Sequence, residues 1–416
     1  MDTNPFYGNN VNLRQPTAPL RREPILDVLR GFAILGILLV NIQFMRGTEW
    51  MVEGGSAAAS VSTADTVARF AIGWLASGKF LSSLAILFGF GAALIAARAH
   101  ARSESPRPLL ARRYGWLMAF GLAHMVLLYP GDVLFVYGVT GLMLLAFVNL
   151  RSRALLAWAA GLLAFYTATG VRHARLYSYW AYSQPAEVTA ADPLYEQRTQ
   201  AIAAFAEGSY GDIVSVHATQ ALTLQGYQFS ALPWILALFL IGYAAGRSTV
   251  LDDFAAYRPL LRRLAIIGII AGLAANLAVG AGGPLGAYSG SVDPGATAIL
   301  VAATLGQSIG APLLAIGYLC ALALFCIAHG PIRALAAVGR MALTAYLLQS
   351  ALALSVIAGL RLYDRLSSAS ALLVVVGIWI VLLVACPLWL RRFEFGPVEW
   401  LWRWLTYGRA PRLRAH

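Results

Sequence analysis

Long apolar runs separated by short polar stretches recur from one end of the chain to the other. A run of about 17–25 apolar residues is long enough to cross a bilayer as a helix, and in lipid the backbone must satisfy its own hydrogen bonds. The pattern therefore predicts an all-α, polytopic integral membrane protein with about ten transmembrane helices. The predicted spans are about 26–44, 80–97, 114–129, 132–149, 154–170, 232–246, 264–280, a run that ends near Ala328, 342–360 and 370–390.

Polar stretches divide the chain further. Residues 1–24 predict a cytoplasmic N-terminal arm, 25–392 the helical membrane domain and 393–416 an interfacial cytoplasmic tail. Within the membrane domain, 171–228 predicts a long extracytoplasmic or interfacial insert, and Asp65–Ser77 predicts an interfacial helix. The basic start and first apolar run resemble a cleaved signal peptide. That run is too long and too far from the N-terminus, so a retained helix is favoured.

Composition and charge agree with this assignment. Only 12% of the residues are charged, against about 25% in soluble proteins. The net charge of +12 comes almost entirely from arginines at the ends of apolar runs, which predicts that both termini are cytoplasmic and argues against a nucleic-acid partner. The three cysteines lie in apolar runs without metal-ligand spacing, so neither a metal nor a disulfide framework is expected.

The stretch Arg112–Gly141 carries an ionisable pair inside an apolar hairpin. His124 interrupts the first leg, a Tyr-Pro-Gly turn follows, and Asp132 opens the second leg. Ionisable residues at membrane depth are costly and point to function, so the two side chains predict a general base with its orienting partner. A structural interpretation stays open, in which His124 bonds a neighbouring helix and Asp132 caps the helix that follows.

Arginines at the foot of this hairpin predict a phosphate site. Arg113 precedes His124 by 11 residues, about 16 Å along a helix. Guanidinium groups suit phosphate oxygens, so Arg112 and Arg113, with Arg98 and Arg30 nearby in the pattern, are candidates for the phosphates of a coenzyme A. Their alternative role is to mark the cytoplasmic side.

Further polar side chains interrupt the apolar runs. Asn41 lies in the first span, and Tyr346 and Gln349 lie in the ninth. Each either contacts substrate, including a developing oxyanion, or bonds a neighbouring helix. Lys79, the only lysine, is a candidate for the same substrate contacts, or it extends to the lipid headgroups at the outer face.

Several motifs together resemble the YeiB-like family of bacterial inner-membrane proteins, a domain-of-unknown-function family. The family is similar in turn to the transmembrane acyltransferase superfamily, which includes acyltransferase-family-3 enzymes and heparan-α-glucosaminide N-acetyltransferases. The matching stretches are LDVLRGFAILGILLVN (26–41), GKFLSSLAILFGFG (78–91), Arg112–Asp132, GRMALTAYLLQS (339–350) and FGPVEWLWRWLTYG (395–408).

The resemblance implies a helical core through which the acyl group of cytoplasmic acyl-CoA passes to an extracytoplasmic hydroxyl or amine. Asn41 matches an asparagine near the active centre of the heparan-type enzymes. Their catalytic histidine follows the first span, whereas this chain has no histidine between Asn41 and Lys79. That role does not carry over, and His124 is the substitute that we infer.

The leading hypothesis is thus an acyl-CoA-dependent acyltransferase of the bacterial inner membrane, with acetyl-CoA as co-substrate and no metal. Its expected partners are membrane lipids and an envelope glycan, lipid or small-molecule acceptor, and a homo-oligomer stays open. One alternative is a transporter that uses the same polar residues as a substrate path. Another is a non-catalytic membrane protein that docks a partner through 171–228.

Overall fold

A computed structural model describes residues 24–47, 62–183, 193–248, 256–282 and 294–414. Within these ranges the regular structure is helical, apart from one isolated antiparallel bridge between Phe393 and Arg414. The predicted arm and most of the glycine-rich segment 280–295 lie outside the described residues. The helices are α1 (Pro24–Met45), α2 (Thr63–Leu75), α3 (Lys79–Ala101), α4 (Pro106–Leu127), α5 (Leu134–Leu144), α6 (Ser152–Ser183), α7 (Pro193–Ala206), α8 (Tyr210–Ser230), α9 (Leu232–Gly246), α10 (Arg258–Gly282), α11 (Pro294–Leu305), α12 (Ala311–His329), α13 (Arg333–Arg340), α14 (Ala342–Gly359), α15 (Ser368–Leu390) and α16 (Pro397–Tyr407).

Seven helical segments are long and apolar enough to cross a membrane, which confirms the predicted all-α membrane class. An eighth results if α8 and α9, bent by 57°, count as one span. The predicted number of ten is not confirmed. α5 has only 11 residues, about 17 Å of helix, whereas the hydrocarbon core of a bilayer is about 30 Å thick. The side of the membrane on which each terminus lies stays a prediction.

The central helices approach one another closely at glycines. A Cβ atom on Gly89 would collide with the backbone of Phe239, and one on Gly242 with the backbone of Ile86, so α3 and α9 are in backbone contact. Small residues permit such packing in lipid, where apolar side chains alone do not drive helices together. α1 is more deeply placed than α6, because 72% of its most apolar window is buried against 11% for α6.

α2 and α3 are two parts of one apolar segment that is broken at residues 76–78. The turn contains Gly78 at φ +80°, a left-handed conformation that glycine adopts without strain. Phe80, in the first turn of α3, packs against Gly36 in the middle of α1. α2 packs against α10 and α15, and the predicted interfacial position of Asp65–Ser77 stays a prediction.

The predicted insert 171–228 is also part of the helical bundle. It contains the end of α6, all of α7 and most of α8, and α8 packs along α4. The Tyr210 hydroxyl at the start of α8 donates to the carbonyl oxygen of Leu127 at 2.6 Å. The last helix of this stretch thus reaches the hairpin singled out above, and the position of 171–228 relative to the membrane stays a prediction.

α16 joins the C-terminal tail to two other helices. The Trp402 indole donates to the carbonyl oxygen of Arg113 at 2.9 Å, and the Arg113 guanidinium lies 3.6 Å from the centre of the Trp402 ring. The Glu399 carboxylate accepts the backbone N–H groups of Leu343 and Thr344 at 2.5 and 2.9 Å, and the Thr344 hydroxyl at 2.5 Å. Glu399 thus caps the N-terminus of α14 from a different helix, which satisfies donors that α14 cannot satisfy itself.

Candidate functional site

A glycine lets the two legs of the hairpin come into contact. A Cβ atom on Gly121 would collide with the backbone N of Phe135 and would lie 2.7 Å from the Oδ2 atom of Asp132. The start of α5 therefore lies directly against the last turns of α4. His124 follows Gly121 by one helical turn, so its ring faces the same contact.

His124 and Asp132 form the buried pair that the sequence predicts. The Nδ1 atom of His124 lies 2.7 Å from the Oδ1 atom of Asp132, and neither side chain is exposed. The Oδ2 atom of Asp132 also accepts the backbone N–H of Phe135 at 2.8 Å, as an N-cap does. One carboxyl group thus serves both interpretations left open above, the orienting partner and the cap.

This geometry selects one tautomer of His124. A carboxylate only accepts hydrogen bonds, so when Asp132 is ionised and His124 is neutral, the Nδ1 atom of His124 carries the proton and the Nε2 atom keeps its lone pair. Nε2 is buried and has no hydrogen-bond partner among the residues that the structure describes. A fixed imidazole with a free Nε2 atom is the arrangement that general-base catalysis requires.

Two further helices complete the surroundings of the pair. The Tyr346 hydroxyl of α14 lies 3.4 Å from the Oδ1 atom of Asp132, and the Tyr346 ring centre is 4.9 Å from that of His124. The Gln225 side chain of α8 donates to the carbonyl oxygen of Asp132 at 3.4 Å. The candidate residue Tyr346 is therefore in the site, and Gln225 belongs to it although sequence reasoning missed it.

Gln349 and Asn41 are buried but are not hydrogen-bonded to the pair. Gln349 lies one turn after Tyr346 on α14 and is 0% exposed, and neither its amide oxygen nor its amide nitrogen has a partner in the described ranges. The Nδ2 atom of Asn41, which is 6% exposed, also has no partner there. Both side chains thus have hydrogen-bonding capacity that helix packing does not use.

α8 adds a second histidine that the sequence did not predict. His217 is 4% exposed and is hydrogen-bonded to the backbone of Val126, two residues after His124. Its Nδ1 atom has no partner within the described part of the chain. His217, Gln220 and Gln225 recur at spacings that place them on one helical face. The spacing of these polar residues could have indicated that His217 lies on the buried face. It does not stand out in the sequence, because the surrounding stretch is also polar.

The four candidate arginines differ in exposure. Arg98 and Arg112 are exposed, whereas Arg113 is half-buried against α16. Arg30 is half-buried, and its guanidinium lies 3.1 Å from the carboxylate of Asp27. The side chains of Arg98 and Arg112 are thus exposed, while much of the Arg113 side chain is already engaged, and phosphate binding by these residues stays a prediction.

Lys79 does not extend to the membrane surface. Its side chain is 0% exposed, and its Nζ atom donates to the carbonyl oxygen of Gly73 at 2.8 Å. The expectation that Lys79 reaches the headgroups is therefore wrong, because the turn before α3 lies inside the bundle. In the part of the chain that the structure describes, no group of three or more metal-ligating side chains is present.

Comparisons with known proteins find relatives along nearly the whole chain. Residues 245–409 match a family model described as "Protein of unknown function (DUF418)". "Uncharacterized protein YxaH" of Bacillus subtilis (strain 168) is 30% identical over 94% of this chain and 96% of its own length. "Uncharacterized protein YeiB" of Escherichia coli (strain K12) is 28% identical over 94% of this chain and 98% of its own. No solved structure matches.

Proposed function

The chain belongs to the DUF418 family of proteins of unknown function, the YeiB-like family predicted from its motifs, and from this premise we propose that it is a transmembrane acyltransferase. It moves an acetyl-like group from cytoplasmic acyl-CoA to a hydroxyl or amine acceptor on the other side of the bacterial inner membrane. Family membership says nothing about acyl transfer, so the proposal depends on the site.

The observation that carries the proposal is the buried His124–Asp132 pair with a free Nε2 atom. A histidine that served only as packing would be expected to use both ring nitrogens or to leave one in solvent. Here one nitrogen is held by a carboxylate at 2.7 Å and the other is buried without a described partner. The pair therefore supports a proton-transfer role.

The proposed reaction uses this pair as follows. The Nε2 atom of His124 takes the proton of the acceptor while the acceptor oxygen or nitrogen attacks the carbonyl carbon of the thioester. The tetrahedral intermediate then breaks its C–S bond, and the departing CoA thiolate receives the proton from His124. Asp132 stabilises the imidazolium between the two steps. The products are the acylated acceptor and CoA thiol.

Gln349 and Asn41 are the proposed partners of the thioester oxygen. Each has an amide N–H that is buried and lacks a partner in the described ranges. A donor that meets the oxyanion only in the transition state lowers the barrier by about 3–4 kcal/mol in enzymes that use this device. Gln349 lies one turn from Tyr346, which contacts Asp132, so it is the nearer candidate along α14.

The arginines are proposed to bind the phosphates of CoA at the other end of α4. Arg112 and Arg98 are exposed there, and Arg113 and Arg30 add positive charge to the same region. The 11 residues between Arg113 and His124 correspond to about 16 Å of helix, a length of the order of a pantetheine arm. α4 thus carries arginines that are candidates to bind the phosphates and, about 16 Å further along the helix, His124 beside the proposed position of the reacting carbonyl.

Acyl transfer can be tested with the purified protein in proteoliposomes. Radiolabelled acetyl-CoA is added outside, an extract of bacterial envelope glycans and lipids is enclosed, and release of CoA thiol and transfer of label are measured. We expect turnover by the native chain and a loss of at least 100-fold in His124→Gln, since a general base contributes about 10²–10⁴-fold. His329→Gln, at an exposed histidine that ends α12, is the matched control and retains activity.

Absence of CoA binding and of CoA release in the native chain would refute the enzyme hypothesis. Entry of an unmodified envelope component without CoA release would instead support the transporter alternative. Full activity in His124→Gln would leave acyl transfer standing but would exclude His124 as the base.

A further inference from the structure

Lys79 has a fully buried side chain, and no carboxylate lies within ion-pair distance of it in the described part of the chain. Its side chain is 0% exposed, and its one hydrogen bond within the described ranges is to the carbonyl oxygen of Gly73. An ammonium group has three N–H donors, so two of them have no protein partner there. A buried charge that is neither paired nor fully hydrogen-bonded is strongly unfavourable.

Capping of α2 does not explain this cost. The Lys79 ammonium satisfies one carbonyl at the C-terminal end of α2, where a positive charge is favourable. Two residues later, the carbonyl of Leu75 accepts the hydroxyl of Tyr318 at 3.2 Å. A neutral hydroxyl thus caps a carbonyl at the same helix end, so capping alone does not account for a lysine at this position.

Three interruptions of apolar helices meet beside Lys79. They are the turn at 76–78, the bend between α8 and α9, and a π-helical segment at Gly306–Gly310 between α11 and α12. A Cβ atom on Gly78 would collide with the amide of Gln307, which joins the turn to the π-helical segment. The indole of Trp234, at the start of α9, donates to the carbonyl oxygen of Ser308 at 2.9 Å, which joins the segment to the bend.

This junction lies at the depth of the middle of two candidate spans. Phe80 packs against Gly36, the thirteenth residue of the 22-residue helix α1. The π-helical segment Gly306–Gly310 lies in the interior of the 33-residue segment Thr297–His329. Irregular backbone at such depth occurs in membrane proteins where it is buried in protein or lines a cavity, and broken helices there often surround a ligand.

The electrostatics of the junction favour an anion. α3 and α9 both begin there, and neither has a side-chain cap at its N-terminus. Each N-terminal end carries about half a positive charge, and the C-terminal ends of α2 and α8, which stop at the same junction, each contribute about half a negative charge. With Lys79 the sum is positive.

We propose that this junction is a binding site for a small monovalent carboxylate, with the Lys79 ammonium as its counter-charge. One ammonium compensates one negative charge, which favours a carboxylate over a phosphate dianion. The two free N–H donors of Lys79 match the two oxygens of a carboxylate. The proposal does not rest on acyl transfer, because it uses none of the residues of the His124–Asp132 pair.

The single lysine makes a direct experiment possible. Labelling with ¹⁵Nζ-lysine gives one side-chain signal, because Lys79 is the only lysine of the chain. The native protein in lipid bilayers is titrated with acetate whose carboxyl carbon is ¹³C, and the shift of the Nζ signal and its dipolar coupling to that carbon are measured by solid-state NMR. We expect a saturable shift and a resolved coupling. No shift and no coupling at the highest acetate concentration would overturn the proposal.

A second measurement uses variants in detergent solution. The Tm of the native chain is expected to rise with acetate to a plateau. Lys79→Gln keeps a hydrogen-bond donor for the Gly73 carbonyl but removes the amino group. Its Tm should change only gradually with acetate concentration, as it does with any salt, and should reach no plateau. Thr140→Val changes a buried hydroxyl that bonds only within α5 and should follow the native chain. Identical acetate curves for the native chain and Lys79→Gln would contradict the proposal.

Discussion

Replacement of Asp132 by asparagine separates the two roles of this side chain. In the native chain the carboxylate accepts from the Nδ1 atom of His124 at 2.7 Å and from the backbone N–H of Phe135 at 2.8 Å. The asparagine oxygen can still accept from Phe135, and its NH₂ group then faces His124. The histidine must accept at Nδ1, so its proton moves to Nε2 and the proposed base is lost.

The expected magnitudes follow from these contacts. The equivalent exchange in a Ser-His-Asp triad lowers kcat by about 10⁴-fold through the wrong tautomer, and we expect a loss of that order for Asp132→Asn. The cap is retained, so the loss of stability should be about 1 kcal/mol. Asp132→Ala removes the cap, about 1 kcal/mol, and a charge-assisted bond, about 1.5–3 kcal/mol, so it should be destabilised by about 2.5–4 kcal/mol.

Three measurements check this prediction on the same preparations. Release of CoA thiol gives the activity, thermal unfolding gives the stability, and the ¹⁵N spectrum of histidine-labelled protein gives the tautomer, with His124→Gln identifying the signal. Asp132→Asn should be nearly as stable as the native chain, inactive, and protonated at Nε2 of His124. An Asp132→Asn protein that keeps its activity within tenfold would refute the tautomer argument. Equal destabilisation by asparagine and alanine would refute the argument about the cap.

Three further predictions concern packing and charge. Gly242→Ala should lower the Tm sharply because its methyl group meets the α3 backbone, whereas Gly377→Ala, where nothing lies within 4 Å of the added carbon, should leave it unchanged or slightly raised. Arg113→Gln should destabilise the protein by about 1 kcal/mol because the contact with the Trp402 indole is lost. Arg112→Gln should keep the Tm and raise the KM for acetyl-CoA. The same changes in Tm and in KM for both variants would contradict this difference between the two arginines. Burial raises the pKa of Glu399, although the hydrogen bonds that its carboxyl group accepts act in the opposite direction. The folded protein therefore binds a proton at Glu399 more tightly than the unfolded chain does. The free energy of unfolding should consequently fall as pH rises through the folded-state pKa. Glu399→Gln should reduce the change of the free energy of unfolding with pH between mildly acidic and neutral pH. If this pH dependence is the same in the variant, it arises from another titratable group.

Sequence reasoning recovered the helices whose apolar runs end at charged or glycine-rich stretches. The ninth and tenth predicted spans, 342–360 and 370–390, agree with α14 and α15 to within two residues at each end. It failed where apolar composition continues past the end of a helix. α5 stops at Leu144 although residues up to 149 remain largely apolar, because apolar composition does not distinguish a helix from a series of buried turns.

The same contrast explains which parts of the site were predictable. His124 and Asp132 were visible because ionisable groups are rare in apolar runs. His217 and Gln225 lie in a polar stretch, where nothing sets them apart, and Gln225 reaches Asp132 across 93 residues of sequence. Lys79 was identified as a candidate, but the orientation of its side chain was not. That orientation depends on the position of the turn at 76–78, which local sequence does not determine.

The contacts of α16 make the proposed acyl transfer sensitive to the C-terminal end of the chain. Trp402 holds α4 at Arg113, and Glu399 holds the first turn of α14. These two helices carry His124 and Tyr346, so the contacts of α16 fix the positions of the two side chains relative to each other. A chain cut before α16 would keep every reacting group and still lose their alignment, and a phenotype from such a truncation would look like the loss of a catalytic residue.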